Sequence, residues 1–304
     1  MVTVMNRLDR QSFLGAKSDQ ILAATTVGLV GLGGGGSHIA QQFAHLGIGG
    51  FVLTDPDMID LTNTNRLVGG TIADVEAKLP KVEIAERLIR GLQPNARVKT
   101  FKSDWKFALD ELKDCDILLG AVDTFKDRDQ LERFARRLLI PYIDIGMDVL
   151  ELPDHRFLIN GQVILSSPGG PCLRCCNFIT DDRLAREAEK YGAAGSRPQV
   201  VWPNGVLASL AVGIAVELLT PWHKNSSGFV YLEYDGNRKT VSISHWVSAL
   251  GKYKCPHYYP DETGDPAFDV RTLLETESAK ALALSESRLE STTRKPWWRR
   301  LLAR

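Results

Sequence analysis

The sequence predicts an α/β fold with a doubly wound, Rossmann-like parallel sheet, followed by a smaller, partly antiparallel β region. Three observations support this class. Short apolar strands alternate with amphipathic helices as far as Leu150, a glycine cluster directly follows the first strand, and strands joined by turns dominate after Leu150. Such alternation is typical of a parallel sheet covered by helices, with ligands at the carboxyl ends of its strands.

The first half contains the alternating elements in order. The predicted strands are 25–33, 51–55, 115–123 and 141–147. The predicted helices are 37–46, about 79–92 and 128–139. In the first helix, apolar residues recur at helical spacing, and Gly47 follows it where a helix commonly ends.

The second half is expected to contain a hairpin and one buried helix. Residues 229–244 read as two strands around a turn at 235–237. Residues 204–219 are small and apolar on nearly all sides. This composition predicts a helix that is buried in the core or at a subunit interface.

The formal net charge of the chain is zero. Lys+Arg and Asp+Glu both number 37, so no nucleic-acid partner is expected. The first twenty residues are mixed and polar, unlike a signal peptide. The longest apolar run, Val206–Val216, holds eleven residues and is too short to span a bilayer. We therefore expect a cytoplasmic protein that is not transmembrane.

The glycine cluster predicts a nucleotide-binding loop. Gly31-Leu-Gly33-Gly-Gly-Gly36 fits G-x-G-x-x-G between a strand and a helix, where free backbone N–H groups and the helix dipole favour a phosphate. Asp55 lies 22 residues past Gly33, at the end of the next strand, where it can accept from ribose hydroxyls. Alone, this motif does not separate NAD or FAD from ATP.

Further motifs follow in an order that resembles the ubiquitin-activating (E1-like, ThiF/MoeB/HesA-type) adenylyltransferase superfamily. Together with the glycine loop, these motifs are Asp55-Pro-Asp57, Asn63-Thr-Asn65-Arg66, Pro80-Lys81 and Ala121-Val-Asp123. Upstream, Arg7-Leu-Asp-Arg10-Gln11 is similar to the R-Y-x-R-Q start of that superfamily. The resemblance covers about residues 5–260. Leu67 and Thr124 depart from it, since many members have Gln and Asn at these positions.

The resemblance implies an ATP- and Mg²⁺-dependent adenylyltransferase that converts a carboxylate into an acyl-adenylate. The implied nucleotide-binding residues are Gly31, Gly33, Gly34, Gly36, Asp55, Asp57, Asn63, Arg66, Lys81 and Asp123. The implied catalytic residues are Arg10, Arg66, Lys81 and Asp123. The carboxylate is expected to be the C-terminus of a ubiquitin-like or sulfur-carrier protein, with a peptide or a small molecule as alternatives.

Each implied role suits the residue type. Arg66 and Lys81 neutralise phosphate charge, the first as a fork and the second as a point charge, and Asn63 adds a neutral donor. Asp123, with Asp57 assisting, is expected to hold Mg²⁺.

Arg10 has a different implied role. By resemblance, it acts as an arginine finger that reaches into the site of a partner subunit. This role requires a symmetric homodimer with two sites.

The cysteines predict a zinc site. Cys172 and Cys175 have the spacing of a zinc knuckle, and relatives complete such a site with a second C-x-x-C late in the domain. Here that region holds Cys255 and His257, with Tyr258 in place of the last cysteine. We expect Cys₃His coordination. Cys176 is the competing fourth ligand, and it is also the one plausible nucleophile for an internal thioester.

The domain organisation follows from these motifs. Residues 1–260 are interpreted as one adenylation domain, whose halves are a nucleotide-binding half (about 1–150) and a zinc and substrate half (151–260). The tail at 261–304 is expected to be partly helical or disordered.

Two other functions compete with adenylation. An NAD(P)- or FAD-dependent oxidoreductase would account for the glycine loop, but it would leave Arg66, Lys81 and Asp123 without a function. A non-catalytic E1-like scaffold would not need these charges either. The sequence leaves open whether sulfuration, conjugation or ligation follows adenylation.

Overall fold

A computed structural model describes residues 7–189, 198–223, 229–251, 253–258 and 264, and all structural statements below concern these residues. The chain divides into two compact units, 1–266 and 267–304. The second unit lies outside the described residues. So does nearly all of the tail predicted at 261–304, whose structure therefore stays a prediction.

Eight strands form a single sheet. They are β1 Thr26–Val30, β2 Gly50–Thr54, β3 Arg97–Phe101, β4 Ile117–Gly120, β5 Tyr142–Glu151, β6 Phe157–Ser166, β7 Phe229–Asp235 and β8 Thr240–Ile243. Their order is β3-β2-β1-β4-β5-β6-β7-β8. The first five in this order pair in parallel, and β5 to β8 pair antiparallel. The predicted fold class is confirmed.

Nine α-helices are described. They are α1 Ser18–Ala24, α2 Gly34–Leu46, α3 Ile72–Glu76, α4 Lys81–Leu92, α5 Leu109–Leu112, α6 Phe125–Arg137, α7 Asp181–Glu189, α8 Val201–Leu219 and α9 His245–Leu250. Three 3₁₀ turns accompany them at Asp9–Leu14, Leu61–Asn63 and Trp105–Phe107.

The strand order creates a switch point between β1 and β4. These strands are neighbours, but β1 connects onward to β2 on one side while β4 connects onward to β5 on the other. Ligands of doubly wound sheets bind in the crevice at such a point, beyond the carboxyl ends of the strands. The topology therefore places the predicted glycine loop, which follows β1, beside the segment that follows β4.

The β5–β6 hairpin extends the sheet beyond its predicted limit. The strand predicted at 141–147 continues to Glu151, and its ten residues pair with all ten of β6. The sheet thus runs without interruption through residue 150, so the two predicted halves share one sheet. Their division stays a prediction.

The core forms where α8 packs against α2 and against β5 and β6. Small side chains such as Ala208, Ala211 and Ala215 are fully buried and allow this close approach. The prediction of a buried helix at 204–219 is confirmed, although the helix begins at Val201. Among the described helices, α8 alone is long and apolar enough to cross a membrane, and half of it is buried inside the protein.

Local side-chain bonds explain where some predicted boundaries were wrong. The helix predicted from residue 128 begins at Phe125, because the Thr124 side chain caps it by accepting from the Asp127 N–H at 3.0 Å. The predicted hairpin is confirmed as β7 and β8, which are joined by residues 236–239.

Candidate active site

A cleft opens at the carboxyl ends of β1, β2 and β4. It brings together most of the predicted nucleotide-binding residues, which come from loops far apart in the sequence. The predicted residues lining it are Gly31, Gly33, Gly34, Asp55, Asp57, Asn63, Arg66, Lys81 and Asp123. Of the predicted set, Gly36 and Arg10 do not line this cleft.

The glycines of the loop have different roles. Gly31 has a φ of +85°, and a Cβ there would lie 2.5 Å from the Ala121 carbonyl oxygen. A Cβ on Gly36 would lie 1.9 Å from the Gly31 carbonyl oxygen, so this glycine permits the close packing of the loop on α2. A Cβ on Gly33 would meet nothing within 4 Å. The open side of the loop is therefore at Gly33, where a phosphate has room to approach.

The first turn of α2 offers N–H groups at this open side. Its N-cap residue is Gly33, which has no side chain to accept from them. Unpaired N–H groups at a helix N-terminus attract anions, and the helix dipole adds to the effect.

Asp55 holds the glycine loop through a backbone hydrogen bond. It is buried, and its carboxylate accepts the Leu32 N–H at 2.6 Å and the Asp57 N–H at 2.9 Å. Burial raises the pKa of Asp55, although Lys81 and these two hydrogen bonds oppose the shift. Both oxygens thus bind the backbone, and the predicted contact with a ribose stays a prediction.

Lys81 is the first residue of α4. Its Nζ lies 2.7 Å from a carboxylate oxygen of Asp57 and 4.0 Å from one of Asp55. The Lys81 side chain is 10% exposed and that of Asp57 is 63% exposed. The ammonium group is therefore held in the cleft by a partner that solvent or a ligand can reach.

The segment after β2 supplies the other predicted polar groups. Asn63 is buried, and its side-chain oxygen accepts the Asp60 N–H at 3.3 Å within a capping box, which leaves its NH₂ group as a donor. The guanidinium of the half-buried Arg66 donates to the Thr62 carbonyl oxygen at 2.7 Å and to Asn65 Oδ1 at 2.9 Å.

The exposed Asp123 stands at the opposite wall, between the end of β4 and the start of α6. Next to it, Asp127 accepts from Thr124 and from Lys106 Nζ at 3.1 Å. Burial would raise the pKa of Asp127, but these hydrogen bonds outweigh it and lower the pKa. Asp127 is thus held by Thr124 and Lys106, and Asp123 lies exposed at the surface of the cleft.

Sequence reasoning missed Arg128, a buried residue that lines the cleft. Its guanidinium donates to the Asp144 carboxylate, to the Ile145 carbonyl oxygen at 2.9 Å and to the Val122 carbonyl oxygen. Burial would lower the pKa of Arg128, but the Asp144 carboxylate outweighs it and raises the pKa. Arg128 therefore ties the end of β4 to β5, directly before Asp123. A Cβ on Gly146 would lie 2.7 Å from this guanidinium.

Asn204 of α8 was also missed. It is buried, donates to the Val200 carbonyl oxygen at 2.9 Å, and would contact a Cβ on Gly34 at 2.6 Å. Asn204 is one of three polar residues in this largely apolar helix, with Ser209 and Glu217, and nothing near it in the sequence indicates its contact with the glycine loop.

Four candidate metal ligands come together away from the cleft. Ligand atoms of Cys172, Cys175, Cys255 and His257 all lie within 4.8 Å of one another. The Sγ atoms of Cys172 and Cys175 are 3.6 Å apart, and those of Cys175 and Cys255 are 3.5 Å apart. His257 Nδ1 lies 3.4 Å from the Sγ atom of Cys172 and 3.4 Å from that of Cys175. Tetrahedral zinc, with Zn–S of about 2.3 Å and Zn–N of about 2.0 Å, requires S···S of about 3.8 Å and S···N of about 3.5 Å. The cluster fits that ion.

Cys176 does not join this cluster. It is buried, and its Sγ is oriented toward the Leu173 carbonyl oxygen at 3.2 Å. Burial raises the pKa of the Cys176 thiol to about 12, so it does not resemble an activated nucleophile. Tyr258 is also buried, with its hydroxyl 3.4 Å from Glu132, which leaves His257 as the neighbouring residue able to reach a metal.

Comparison with known proteins agrees with the fold. The model of the ThiF family matches residues 6–255. Molybdopterin-synthase adenylyltransferase of Haemophilus influenzae is 32% identical over 124 residues, which cover 40% of this chain and 50% of that protein. Ubiquitin-like modifier-activating enzyme 5 of Gallus gallus is 29% identical over 202 residues, which cover 62% of this chain and 48% of that enzyme. The chain thus spans about half the length of these two relatives.

A crystal structure of E. coli MccB with ATP has a TM-score of 0.63 and 19% identity, and the match covers 79% of this chain and 71% of that one. At this identity, the likeness shows a shared fold and nothing more.

Proposed function

The chain belongs to the ThiF family, and on this premise we propose that it is an ATP-dependent adenylyltransferase that activates a C-terminal carboxylate as an acyl-adenylate. The relative from Haemophilus influenzae is itself named an adenylyltransferase. The main support for this proposal is the cleft, which combines an open glycine loop with two cationic side chains and an exposed carboxylate.

This combination suits ATP. The nucleotide brings about four negative charges, and an attacking carboxylate adds a further anion. The open side at Gly33 and the N-terminus of α2 would receive phosphate oxygens. Lys81 and Arg66 would neutralise the remaining charge, and the bonds that now hold both side chains are ones that a phosphate can replace.

The proposed reaction is a displacement at the α-phosphorus. A carboxylate oxygen of the acyl substrate forms a bond to that phosphorus, the bond to the β-phosphate bridging oxygen breaks, and pyrophosphate leaves with the electron pair. The residues of this chain position the reactants and stabilise the negative charge on the phosphate oxygens, and no proton transfer is needed.

Asp123, with Asp57 assisting, would hold Mg²⁺. Both are exposed carboxylates that line the cleft, and Mg²⁺ in nucleotide sites is usually bound by one or two carboxylates and by phosphates. When bound, Mg²⁺ supplies charge neutralisation on the phosphates.

Zn²⁺ is proposed for the cluster of Cys172, Cys175, Cys255 and His257, because its sulfur and nitrogen separations fit tetrahedral coordination. The site is structural in this proposal, since four protein ligands leave no open position. Reduced cysteines of this kind favour a cytoplasmic location.

The acyl substrate is proposed to be a small ubiquitin-like or sulfur-carrier protein, or a peptide, with a free C-terminal carboxylate. The Gallus gallus relative is named for activating a ubiquitin-like modifier. We also propose a homodimer in which Arg10 of each subunit serves the other subunit's cleft. The Arg10 side chain is exposed and does not line the cleft of its own chain.

Two measurements test the proposal. ATP·Mg²⁺ should raise the melting temperature of the protein, whereas NAD should not, because only a ligand of the native state stabilises it. With a panel of small proteins ending in Gly-Gly, the enzyme should exchange pyrophosphate into ATP, and Asp123→Ala should abolish exchange while remaining folded. Stabilisation by NAD alone would favour an oxidoreductase, and wild-type exchange in Asp123→Ala would remove Asp123 from the reaction.

A further inference from the structure

The N-terminal segment that carries Arg10 is anchored to the C-terminal end of α2. Arg7 donates to the carbonyl oxygens of Ala44 and His45, at 3.2 Å each, and to Gln93 Oε1 at 2.5 Å. Gln11 donates to the Leu46 carbonyl oxygen at 3.1 Å. The two side chains thus bind the last three carbonyl groups of α2.

These bonds meet a physical need of the helix. The last carbonyl groups of an α-helix have no partner within it, and the helix dipole makes this end negative. Arg7 supplies a cation and two donors there, and Gln11 supplies a neutral donor. Gln11 also donates to Asp19 at 3.0 Å, so the segment is joined to α1 as well.

The local geometry separates the anchoring residues from Arg10. Residues Asp9–Leu14 form a 3₁₀ helix, in which side chains three residues apart lie above one another. Gln11 and the buried Leu14 therefore face the protein, whereas Arg10 and Phe13, which is 68% exposed, face outward. Arg10 has no hydrogen-bond or ion-pair partner among the described residues.

We propose that Arg7 and Gln11 are positioning residues that fix the direction of Arg10 by capping α2. This inference rests on the proposed role of Arg10 in the partner subunit's cleft. The N-terminus of α2 carries the phosphate loop of its own cleft, and its C-terminus holds the segment that serves the other cleft. One helix of 13 residues thereby connects the two sites of a dimer.

The proposal makes a specific claim about which site each change damages. A defect in Arg7 misplaces Arg10 of the same chain, so it impairs the cleft of the partner subunit and spares its own. A merely structural defect in α2 would instead impair the cleft of the chain that carries it. Subunit mixing separates the two cases.

The experiment measures ATP–pyrophosphate exchange, with a ubiquitin-like protein ending in Gly-Gly as the probe. Arg7→Met alone should lower exchange on the order of 10- to 100-fold, which is the scale of a misplaced catalytic group. Mixing Arg7→Met with Lys81→Ala should restore about a quarter of wild-type exchange, because half of randomly formed dimers are mixed and each has one intact cleft. Mixing Arg7→Met with Arg10→Ala should restore none.

Controls make each outcome decisive. Arg97→Met removes another exposed arginine that donates to a helix-terminal carbonyl, that of Ala24 at 3.5 Å, and should keep full exchange. If Arg7→Met is unstable by thermal melting, Gln11→Met replaces it in every mixture. Wild-type exchange in both anchor variants would overturn the proposal.

Failure to recover with Lys81→Ala, while Arg10→Ala does recover with it, would also overturn the positioning role and leave adenylation untouched. No recovery of Arg10→Ala with Lys81→Ala, in subunits shown to exchange, would overturn the in-trans role and this inference together. An inactive wild type with every probe would overturn the proposed function itself.

Discussion

Substituting Gly36 and Gly33 separately should show that the glycine loop contains two kinds of glycine. In Gly36→Ala, the new Cβ would lie 1.9 Å from the Gly31 carbonyl oxygen. An ordinary C···O contact is about 3.3 Å, so the two atoms must separate by about 1.4 Å. Gly31 cannot easily move away, because it has a φ of +85° and its N–H donates to the Thr54 carbonyl oxygen at 2.9 Å.

The expected cost of Gly36→Ala is at least the 1–3 kcal/mol or so that overpacking usually costs. For a domain of this size, each kcal/mol lowers the melting temperature by about 2–4 °C, so the loss should be several degrees. In Gly33→Ala, the Cβ meets nothing within 4 Å, so the remaining cost is that of alanine as a poorer N-cap than glycine, and the free energy of unfolding should fall by no more than about 1 kcal/mol. Its methyl group would instead project into the space proposed for a phosphate.

The assay compares melting temperatures with and without ATP·Mg²⁺. Without nucleotide, Gly33→Ala should melt only slightly below the wild type, and its shift with nucleotide should be reduced, whereas Gly36→Ala should melt clearly lower in both conditions. Gly91→Ala is the matched control, because Gly91 lies exposed in α4 with open space around it. It should be stabilised by about 0.5–1 kcal/mol. A full nucleotide shift in Gly33→Ala would refute the assignment of the open side of the loop to phosphate.

Three further predictions concern the metal site and the second wall of the cleft. Purified without chelator, the protein should contain one zinc per chain by elemental analysis; Cys255→Ser should lose it and Cys176→Ser should keep it, whereas full zinc in His257→Ala with none in Cys176→Ser would identify Cys176 as the fourth ligand. After metal removal under native conditions, alkylation at pH 8 followed by mass spectrometry should modify the half-buried Cys175 and Cys255 and spare the three buried thiols of Cys115, Cys172 and Cys176; burial raises the pKa of Cys115 and of Cys176 to about 12. Arg128→Lys should slow exchange and raise the Mg²⁺ concentration needed for half-maximal rate several-fold, because one ammonium cannot bridge two strand ends; an unchanged Mg²⁺ requirement would contradict a link between Arg128 and Asp123.

Local sequence signals predicted the part of the cleft that each strand end supplies by itself. A glycine loop between β1 and α2, an acid after β2 and an acid after β4 can each be recognised from a few adjacent residues. The Pro80-Lys81 pair indicated which lysine belongs to the site, and the structure places Lys81 in the cleft. Pro80 is the N-cap of α4, which puts Lys81 at the first helical position.

Contacts between distant segments could not be predicted in the same way. Asn204 reaches the glycine loop from α8, and nothing in its own neighbourhood indicates this contact. The extent of β5 was also missed, because its last residues are stabilised by pairing with β6 and not by their own burial. In both cases, the deciding energy comes from a partner far along the chain.

The clearest case is a stripe of buried charge on α6. Arg128, Glu132 and Arg136 are spaced i, i+4, i+8 and so share one face, which a sequence pattern assigns to solvent. All three are buried, and each forms hydrogen bonds with other elements. Arg128 donates to the Asp144 carboxylate and the Ile145 carbonyl oxygen, and Glu132 accepts from the Ser166 hydroxyl and the Leu173 N–H. Arg136 donates to the carbonyl oxygens of Gly170 and Pro171.

Such charges are tolerated in a core only when they are paired and hydrogen-bonded. Burial raises the pKa of Glu132 to about 7, although Arg136 opposes the shift, so the desolvation penalty is only partly offset. A helix that needed only to cover the sheet would do so more stably with apolar residues on this face. The stripe therefore has a different consequence: its first turn fixes the strand ends beside Asp123, and its later turns fix the loop that carries Cys172. Side chains of one helix, α6, thus hold both the wall of the cleft beside Asp123 and the loop that carries Cys172.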